Sequence, residues 1–562
     1  MLDKLPNECV ELVLAHVAAA GDVTTIVHVS KTCRRLRQLV ADLDRLWTRL
    51  HDRLYGPEAD VEVADWLASE QAPLPPLPDL SPRERVIRQR VISNDVQRCL
   101  QRMEQSRANM PLAMARISTH HGALAIHELK ATMAREPRTG HLTRKFFAAR
   151  ALERVRSRLL GRRWTDLLRN ADARPLEEGA FLIDQYVHSW DAAPRQTRAA
   201  LDRFAAHAQA AIARARTSNG QELTLRQQLD CVVQVLFQDH QDHDGGAAAF
   251  RGDADDYYNS DNSFLCRVIE RRLGIPISLS ILFAAVAHRV GLTAVQLTNF
   301  PGHVVSIVDS AHHNPPLVID AFRRGNISTP VEFVSLFFGD QPVLLDLLRP
   351  TQNVNVWERQ LRNLVSGSSP DLRALNLMSY IHEGDLTMLM AWAHHMLTEH
   401  PEDADLVVLR FDEEFRSGAV PNFLVQTDIL TRANHIRASF ERDPVRRDRH
   451  HLHNQGGNIS PAGPTFLIGQ IVRTINSTGV VCDNANAPSS YGIISPSNHE
   501  PVVVMPRLLS AVESAEEINS VGERLLLENS FVGYYFESFR PGVGFVPNRV
   551  LQNAFPNRIL LS

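Results

Sequence analysis

The chain has 562 residues, enough for three to five domains at roughly 100–200 residues each. Apolar residues make up 44% and charged residues 22%, ordinary values for a folded soluble protein, which excludes a fibrous or wholly disordered chain. A formal charge of −4, from 60 basic and 64 acidic residues, excludes a globally basic nucleic-acid coat. The total conceals an asymmetry. Residues 81–170 carry 20 Lys and Arg against 7 Asp and Glu, so this stretch is +13 and the remainder is −17. A stretch of this kind is either a set of solvated helix faces or a docking face for an acidic partner or phosphate.

In chain order, residues 1–55 are predicted to form packed short helices. Val10, Val13, Leu14 and Val17 recur at helical spacing and make one face. Pro6 suits the first turn, because the donor it lacks would be unused there. Gly21 ends this helix and Asp22 can cap the next. Val23, Ile26 and Val27 form a second stripe. Ser30 can cap a third helix, with Cys33, Leu36 and Val40 inward, and Leu43, Leu46, Trp47, Leu50 and Leu54 close the unit. About 50 residues bury little core, so the unit is expected to lean on a partner or a neighbouring domain.

Ala72–Asp79 is a Pro-rich, extended spacer. Basic helices fill 83–170, and helical stripes continue over 177–240. Asp239–Asp256 reads as a loop rich in Asp, Gly and His. Residues 263–290 are an apolar helical pair around Gly274-Ile-Pro. Strands are predicted at Val295–Leu297, Val304–Val308 and Leu317–Ile319. Residues 356–440 return to helix, 441–464 form a polar linker, and short strands follow from 465. The six cysteines, Cys9, Cys33, Cys99, Cys231, Cys266 and Cys482, are dispersed without a Cys-x-x-Cys pair. They are expected to be reduced thiols, not a disulfide framework or zinc module. The start MLDKLPNECV lacks the pattern of a secretory signal, and the apolar run Ile275–Ala287 is short of the ~20 residues of a membrane helix. A protein of the cytoplasm or nucleus, with no membrane partner, is expected.

Three resemblances organise these elements. Leu5-Pro6, Glu8, Leu14, Val17, Val29-Ser30, Cys33-Arg34, Leu46-Trp47 and Leu50 together resemble an F-box. That resemblance implies docking on a Skp-type adaptor joined to a cullin scaffold, with Leu5, Pro6, Leu14, Val17, Leu46 and Trp47 as adaptor-binding residues. Tyr257-Tyr258, Asn262-Ser263-Phe264-Leu265, Ile269-Glu270-Arg271-Arg272-Leu-Gly274-Ile275-Pro276 and Pro301-Gly302-His303 resemble the SirB-type transglutaminase-like domain over about 177–365. In that superfamily a Cys opens a helix after a Gly, and His and Asp follow on successive strands. A thiolate at a helix start with a His–Asp pair is a sensible nucleophile. Here His303 and Asp320 stand in the base and carboxylate positions, but Pro276 stands where the Cys is expected. Cys266 reads as a small core residue, and Ser278 and Ser280 lie within the apolar helix. The site is therefore expected to be a degenerate one, with no catalytic residue and no cofactor. Phe466-Leu-Ile-Gly469-Gln470-Ile-Val-Arg473 with Gly479-Val480-Val481 resembles the HspQ/YccV-type β-barrel, a family named for hemimethylated-DNA binding. The order of the three is that of one eukaryotic F-box-only family.

The expected division is an F-box at 1–55, a spacer and basic helices at 56–170, a transglutaminase-like domain at 171–365, a helical region at 366–440, a linker at 441–464 and a β domain at 465–562. The fold class is multidomain α+β: a small helical start, a mostly helical middle with a transglutaminase-like α+β core, and a small C-terminal barrel. The resemblances imply the substrate-recognition subunit of a Skp–cullin–F-box ubiquitin ligase, which binds a protein substrate and promotes its ubiquitination. The alternatives are a thiol or serine hydrolase on the transglutaminase-like fold, or a DNA- or chromatin-binding protein. Residues 463–562 hold six Arg, no Lys and eight Asp and Glu, which speaks against nucleic acid. The aromatics Phe531, Tyr534, Tyr535, Phe536, Phe539 and Phe545 read there as core plus an apolar contact face. His240, Asp242, His243 and Asp244, and His450, His451 and His453, fall in loops that do not fix ligands, so no metal is expected.

Overall fold

The computed structural model describes residues 5–20, 23–55, 80–106, 109–188, 194–219, 221–238, 249–339, 342–366, 371–382, 386–399, 407, 431–435, 466–474, 477–483, 491–496, 498–505, 508–529 and 531–554. The Pro-rich spacer, the two histidine-rich loops and the linker 441–464 lie outside them. The chain forms two compact units, one of Met1–Leu159 with Asn434–Ser562 and one of Leu160–Ala433. Among the described residues no helix is long and apolar enough to cross a membrane.

The first unit begins with α1 (Asn7–Ala19), α2 (Val23–Thr32), α3 (Arg34–Asp42) and α4 (Asp44–Tyr55). Their stripes converge as expected: Val10, Leu14, Ala18, Ile26, Leu36, Val40, Leu46, Trp47 and Leu50 share one core. Val13, predicted on the inward face, is instead 42% exposed. Val86 from the next helix, Pro82–Gln105, completes the core, so the small unit does lean on its neighbour. Ser81 and Glu84 form a reciprocal capping box at the start of that helix, which satisfies two of its free amide donors. Helices Met110–Ala115, Ile126–Met133 and Leu142–Arg169 follow. Some of the basic excess is spent inside this layer. Buried Asp95 accepts from Arg116 and His121, and Arg144 makes a two-pronged pair with Glu104 at 2.8 and 2.6 Å.

The second unit holds helices Leu176–Ile183, Pro194–Asn219, Leu225–Phe237 and Leu265–Arg271, then the almost wholly buried helix Pro276–Arg289. Strands β1 (Arg251–Gly252) and β2 (Leu273–Gly274) pair in parallel. A four-stranded antiparallel sheet runs in sequence order: β3 (Gln296–Leu297), β4 (Ser306–Val308), β5 (Leu317–Asp320) and β6 (Asn326–Ser328). The last of these strands was not anticipated. Helices Pro330–Phe338, Asn353–Val365, Leu372–Ile381 and Leu386–Glu399 complete the unit. Trp357 is fully buried, donates from Nε1 to the Leu176 carbonyl at 2.8 Å, and lies against Gly179.

The chain then returns to the first unit. Strands β7 (Ile471–Arg473), β8 (Thr478–Asp483), β9 (Tyr491–Ser495), β10 (Asn498–Val504) and β11 (Ser510–Ala511) form an antiparallel sheet in the order β10-β9-β8-β7-β11. Strands β12 (Phe536–Arg540) and β13 (Gly544–Pro547) make a separate hairpin. The hairpin is tied to the sheet by the Phe545 amide, which donates to the Gly469 carbonyl at 2.9 Å. A barrel was expected, but no pairing among the described residues closes one. Strand β11 is only two residues long, and helix Ala515–Glu528 fills the remaining core with Ile518, Val521 and Leu525.

These strands share a core with Leu142 of the helical layer. Thr143 donates to the Phe536 carbonyl at 3.1 Å, and the Phe539 amide donates to the Thr139 carbonyl at 2.8 Å. A Cβ on Gly533 would lie 2.4 Å from the Leu142 carbonyl oxygen, so only glycine fits there. The aromatic group divides accordingly. Phe536, Phe539 and Phe545 are core, while Phe531 meets Phe146 tilted at 5.7 Å and Tyr534 meets it edge-on at 5.6 Å. The apolar contact face is met by the chain's own helix.

Candidate functional site

Candidate sites lie at the face of α1 and at the start of helix Pro276–Arg289.

On the first, the predicted contact residues separate. Leu14 is 0%, Leu46 4% and Trp47 4% exposed, so these three are corrected from adaptor contacts to the unit's own core. The physical reason is that an amphipathic stripe can face only one way, and in a unit this small it faces inward. Trp47 also donates from Nε1 to the Val40 carbonyl at 2.7 Å. Leu5 and Val17 are half-buried against this core, and Pro6 is exposed as the extended residue before α1. Arg35 holds the entry by donating to the Leu5 carbonyl and to Asn7 Oδ1, both at 2.6 Å. The large apolar side chains that α1 presents outward are Leu12, 72% exposed, and Val13. The inward stripe drew the sequence reading past them.

At the second place, the quoted motif residues build a frame. Arg272 takes a left-handed conformation, φ 60°, at the end of its helix, with its guanidinium over the rings of Phe250 and Phe204 at 4.3 and 4.9 Å. Asn262, fully buried, donates to Asp253 and to the Asp256 carbonyl, and accepts from Arg271 at 3.0 Å. Gly274 sits where a Cβ would meet Ser278 Oγ at 2.9 Å and Leu279 Cγ at 3.0 Å. Ser278 Oγ in turn donates to the Asn262 carbonyl at 2.6 Å and accepts from the Ile275 amide at 3.1 Å. Both sides of this hydroxyl are occupied in holding the turn.

Pro276 is the first residue of the buried helix, where its fixed φ suits the helical turn. One turn on, on the same face, Ser280 donates to the carbonyl of Val304, the residue after His303. The helix start and the histidine segment are therefore neighbours. Gly302, φ 77°, makes the turn that delivers His303. Its Nε2 lies 2.9 Å from Asp320 Oδ1, which also accepts from the Arg323 amide at 3.2 Å. Phe322 meets the imidazole edge-on at 5.8 Å and Phe333 lies at 6.1 Å. His303 and Asp320 thus form a hydrogen-bonded imidazole–carboxylate pair. The helix start near it is Pro276.

Cys266 is held by a residue the sequence reading missed. Asp184, 2% exposed, accepts from the Leu265 amide at 3.0 Å and the Cys266 amide at 2.7 Å. Burial pushes its carboxyl up to about 7, against the opposing pull of those hydrogen bonds. The Cys266 thiol donates to the same carboxylate and is pushed far up, first by burial and then by the Asp184 charge. This is the reverse of thiolate activation. The available signal was a lone acid in the apolar run Gly179–Val187.

Comparison with known proteins follows the same lines. Residues 2–53 match the F-box-like family model, and residues 195–362 match that of the transglutaminase-like superfamily. F-box only protein 21 of Homo sapiens is 26% identical over 450 residues, covering 73% of this chain and 67% of that protein. The Pongo abelii protein of the same name is 27% identical over 395 residues, covering 65% and 59%. The chain therefore spans about three-fifths to two-thirds of the length of these relatives. A UPF0162 protein of Xylella fastidiosa is 36% identical over 124 residues, covering 21% of this chain and 43% of that protein. No solved structure matches. The chain carries an F-box-like and a transglutaminase-like segment and is similar over most of its length to F-box only protein 21.

Proposed function

We propose that this chain is the substrate-recognition subunit of a Skp–cullin–F-box ubiquitin ligase, acting in the cytoplasm or nucleus. The observation that carries this reading is the N-terminal four-helix unit, closed around its own core yet presenting Leu12 and Val13 on α1. A Skp-type adaptor would seat on those side chains and on exposed Pro6. The transglutaminase-like unit and the C-terminal strands then hold a target protein near a ubiquitin-charged partner, which raises the effective concentration of the reacting groups. No covalent intermediate forms on this chain. Affinity capture of the full chain with a Skp-type adaptor tests it. Leu12→Asp with Val13→Asp should abolish capture while helicity is retained; retained capture would sink the reading.

The hydrolase reading draws on one observation, the His303–Asp320 pair at 2.9 Å. Without a nucleophile such a pair offers base catalysis alone, on the order of 10²–10⁴-fold. Active-site probes directed at thiols and serines should leave residues 171–365 unlabelled. Labelling that disappears in His303→Ala would establish the hydrolase instead.

A further inference from the structure

Helix Pro82–Gln105 buries one side, with Val86 in the core of α1–α4, and leaves the opposite side to water. Arg83, Ile87, Arg90, Val91, Arg98 and Arg102 all lie on that open side, because steps of three and four residues return to one face of a helix. Ile87 is 47% and Val91 59% exposed. Arg98 faces Asp95 at 3.2 Å, a carboxylate that Arg116 and His121 already hold. Among the described residues no carboxylate pairs with Arg90 or Arg102. Glu84, at the border of the stripe, is taken up in the cap with Ser81. Part of the basic excess thus stands as four guanidinium groups around two aliphatic side chains. Phosphate alone would leave Ile87 and Val91 unmet, so the face suits an acidic protein segment with an apolar stripe of its own.

We infer that the occupant of this face is the chain's own segment 57–70. It lies outside the described residues, and its sequence, PEADVEVADWLASE, carries five Asp and Glu and no Lys or Arg. Ala59, Val63, Trp66 and Leu67 recur at three- and four-residue spacing, with Asp60 and Glu62 on the two borders of that stripe. This is the complement of Ile87 and Val91 among arginines. The chain also keeps the segment near. Upstream, α4 ends at Tyr55 and packs on helix Pro82–Gln105 through the core that holds Val86, so only Gly56 intervenes. Downstream, residues 71–80 lead to Ser81, a Pro-rich spacer that spans about 30 Å when extended. Val91 lies only about 15 Å along the helix from Ser81. Short tethers of this kind raise the local concentration to the order of millimolar. Exposed ion pairs that are individually weak can then act together with the apolar contact. The covered face clasps α4 to the helix behind it, and a separate acidic protein would have to displace segment 57–70 to reach the arginines.

Photo-cross-linking of the full chain tests this, with p-benzoylphenylalanine in place of Asn94, an exposed residue on the same stripe. Peptide mass spectrometry after irradiation at low salt should place the cross-link within residues 57–70 of the same molecule, in the purified chain and in a cell extract alike. Asp60→Lys with Glu62→Lys should cut the yield about tenfold or more, because like charges then face each other. Adding Arg90→Glu with Arg98→Glu should restore most of it. A cross-link elsewhere in the chain, one formed only between two molecules, one made to another protein in the extract in place of 57–70, or a yield indifferent to the first charge reversal would each overturn the inference. Should the fourfold variant lose helicity, Trp66→Ser decides, since it leaves helix Pro82–Gln105 untouched: the yield should fall, and an unchanged yield counts against the inference.

Discussion

Replacing Trp47 with alanine separates the two roles that the sequence superimposes on one residue. The side chain is 4% exposed, and its Nε1 satisfies the Val40 carbonyl at 2.7 Å, while the Arg83 guanidinium lies 6.0 Å from its ring. Truncating a buried tryptophan costs about 3–5 kcal/mol in lost burial and cavity formation. The lost hydrogen bond adds about 1 kcal/mol, and more if the carbonyl stays dry. The exposed guanidinium adds little. The total, about 4–6 kcal/mol, rivals the whole stability of a small helical domain. Trp47→Ala should therefore melt α1–α4 and lose the adaptor as a consequence of unfolding. Leu12→Ala, at an exposed position, should change stability by no more than about 0.5 kcal/mol and weaken the adaptor directly. Thermal unfolding followed by circular dichroism, run beside adaptor titration, distinguishes the two. A Trp47→Ala chain that keeps its N-terminal helices and its melting profile, yet fails to bind the adaptor, would show that the indole is a contact after all.

Three further outcomes are expected. Asp184, with a folded value of about 7 against about 3.9 unfolded, contributes stability that is full below about pH 4 and is lost as pH rises through about 7. Urea midpoints of the second unit should fall between pH 5 and 8, and Asp184→Asn should flatten that slope; a flat wild-type profile would contradict the assignment. Gly179→Ala would place a Cβ 2.2 Å from the Trp357 ring, so about 1–3 kcal/mol of overpacking should outweigh the ~1 kcal/mol gain in helix propensity, and a raised melting temperature would refute this. Any duplex-DNA binding by the full chain at low salt should be unaffected by Arg473→Gln with Arg540→Gln, because the C-terminal strands carry too few cations; loss of salt-dependent binding in that variant would assign DNA to them.

The elements were legible where periodicity was strong. The stripes of α1–α4, the buried helix after Gly274 and strands β3–β5 all follow from apolar spacing and turn residues. Side-chain direction was less legible, because spacing groups Val13 with Leu14 although the first faces water and the second the core. The His303–Asp320 pair could be read only because a resemblance aligned the two residues. Asp184 shows in the sequence only as a lone acid in an apolar run, and its role could not be read, since its partners Leu265 and Cys266 lie some eighty residues away. The same holds for the C-terminal strands. No local signal says that Phe536 will meet Thr143 across 393 residues.

That separation has a consequence for how the chain comes to be folded. The second unit is continuous, Leu160–Ala433, so all its partners are available once that stretch exists. The first unit is interrupted: its core needs Leu142 together with strands from 466 onward, and Asn548 reaches Thr143 across 405 residues. Closing so long a loop is slow, and the helical layer must wait with its apolar side unmet. On the ribosome α1–α4, whose core closes with Val86, and then the middle of the chain should therefore finish first, and the layer around Leu142 last. A chain cut anywhere before β13 would strand a hydrophobic surface around Leu142 and Phe146, a ready mark for chaperones and proteases.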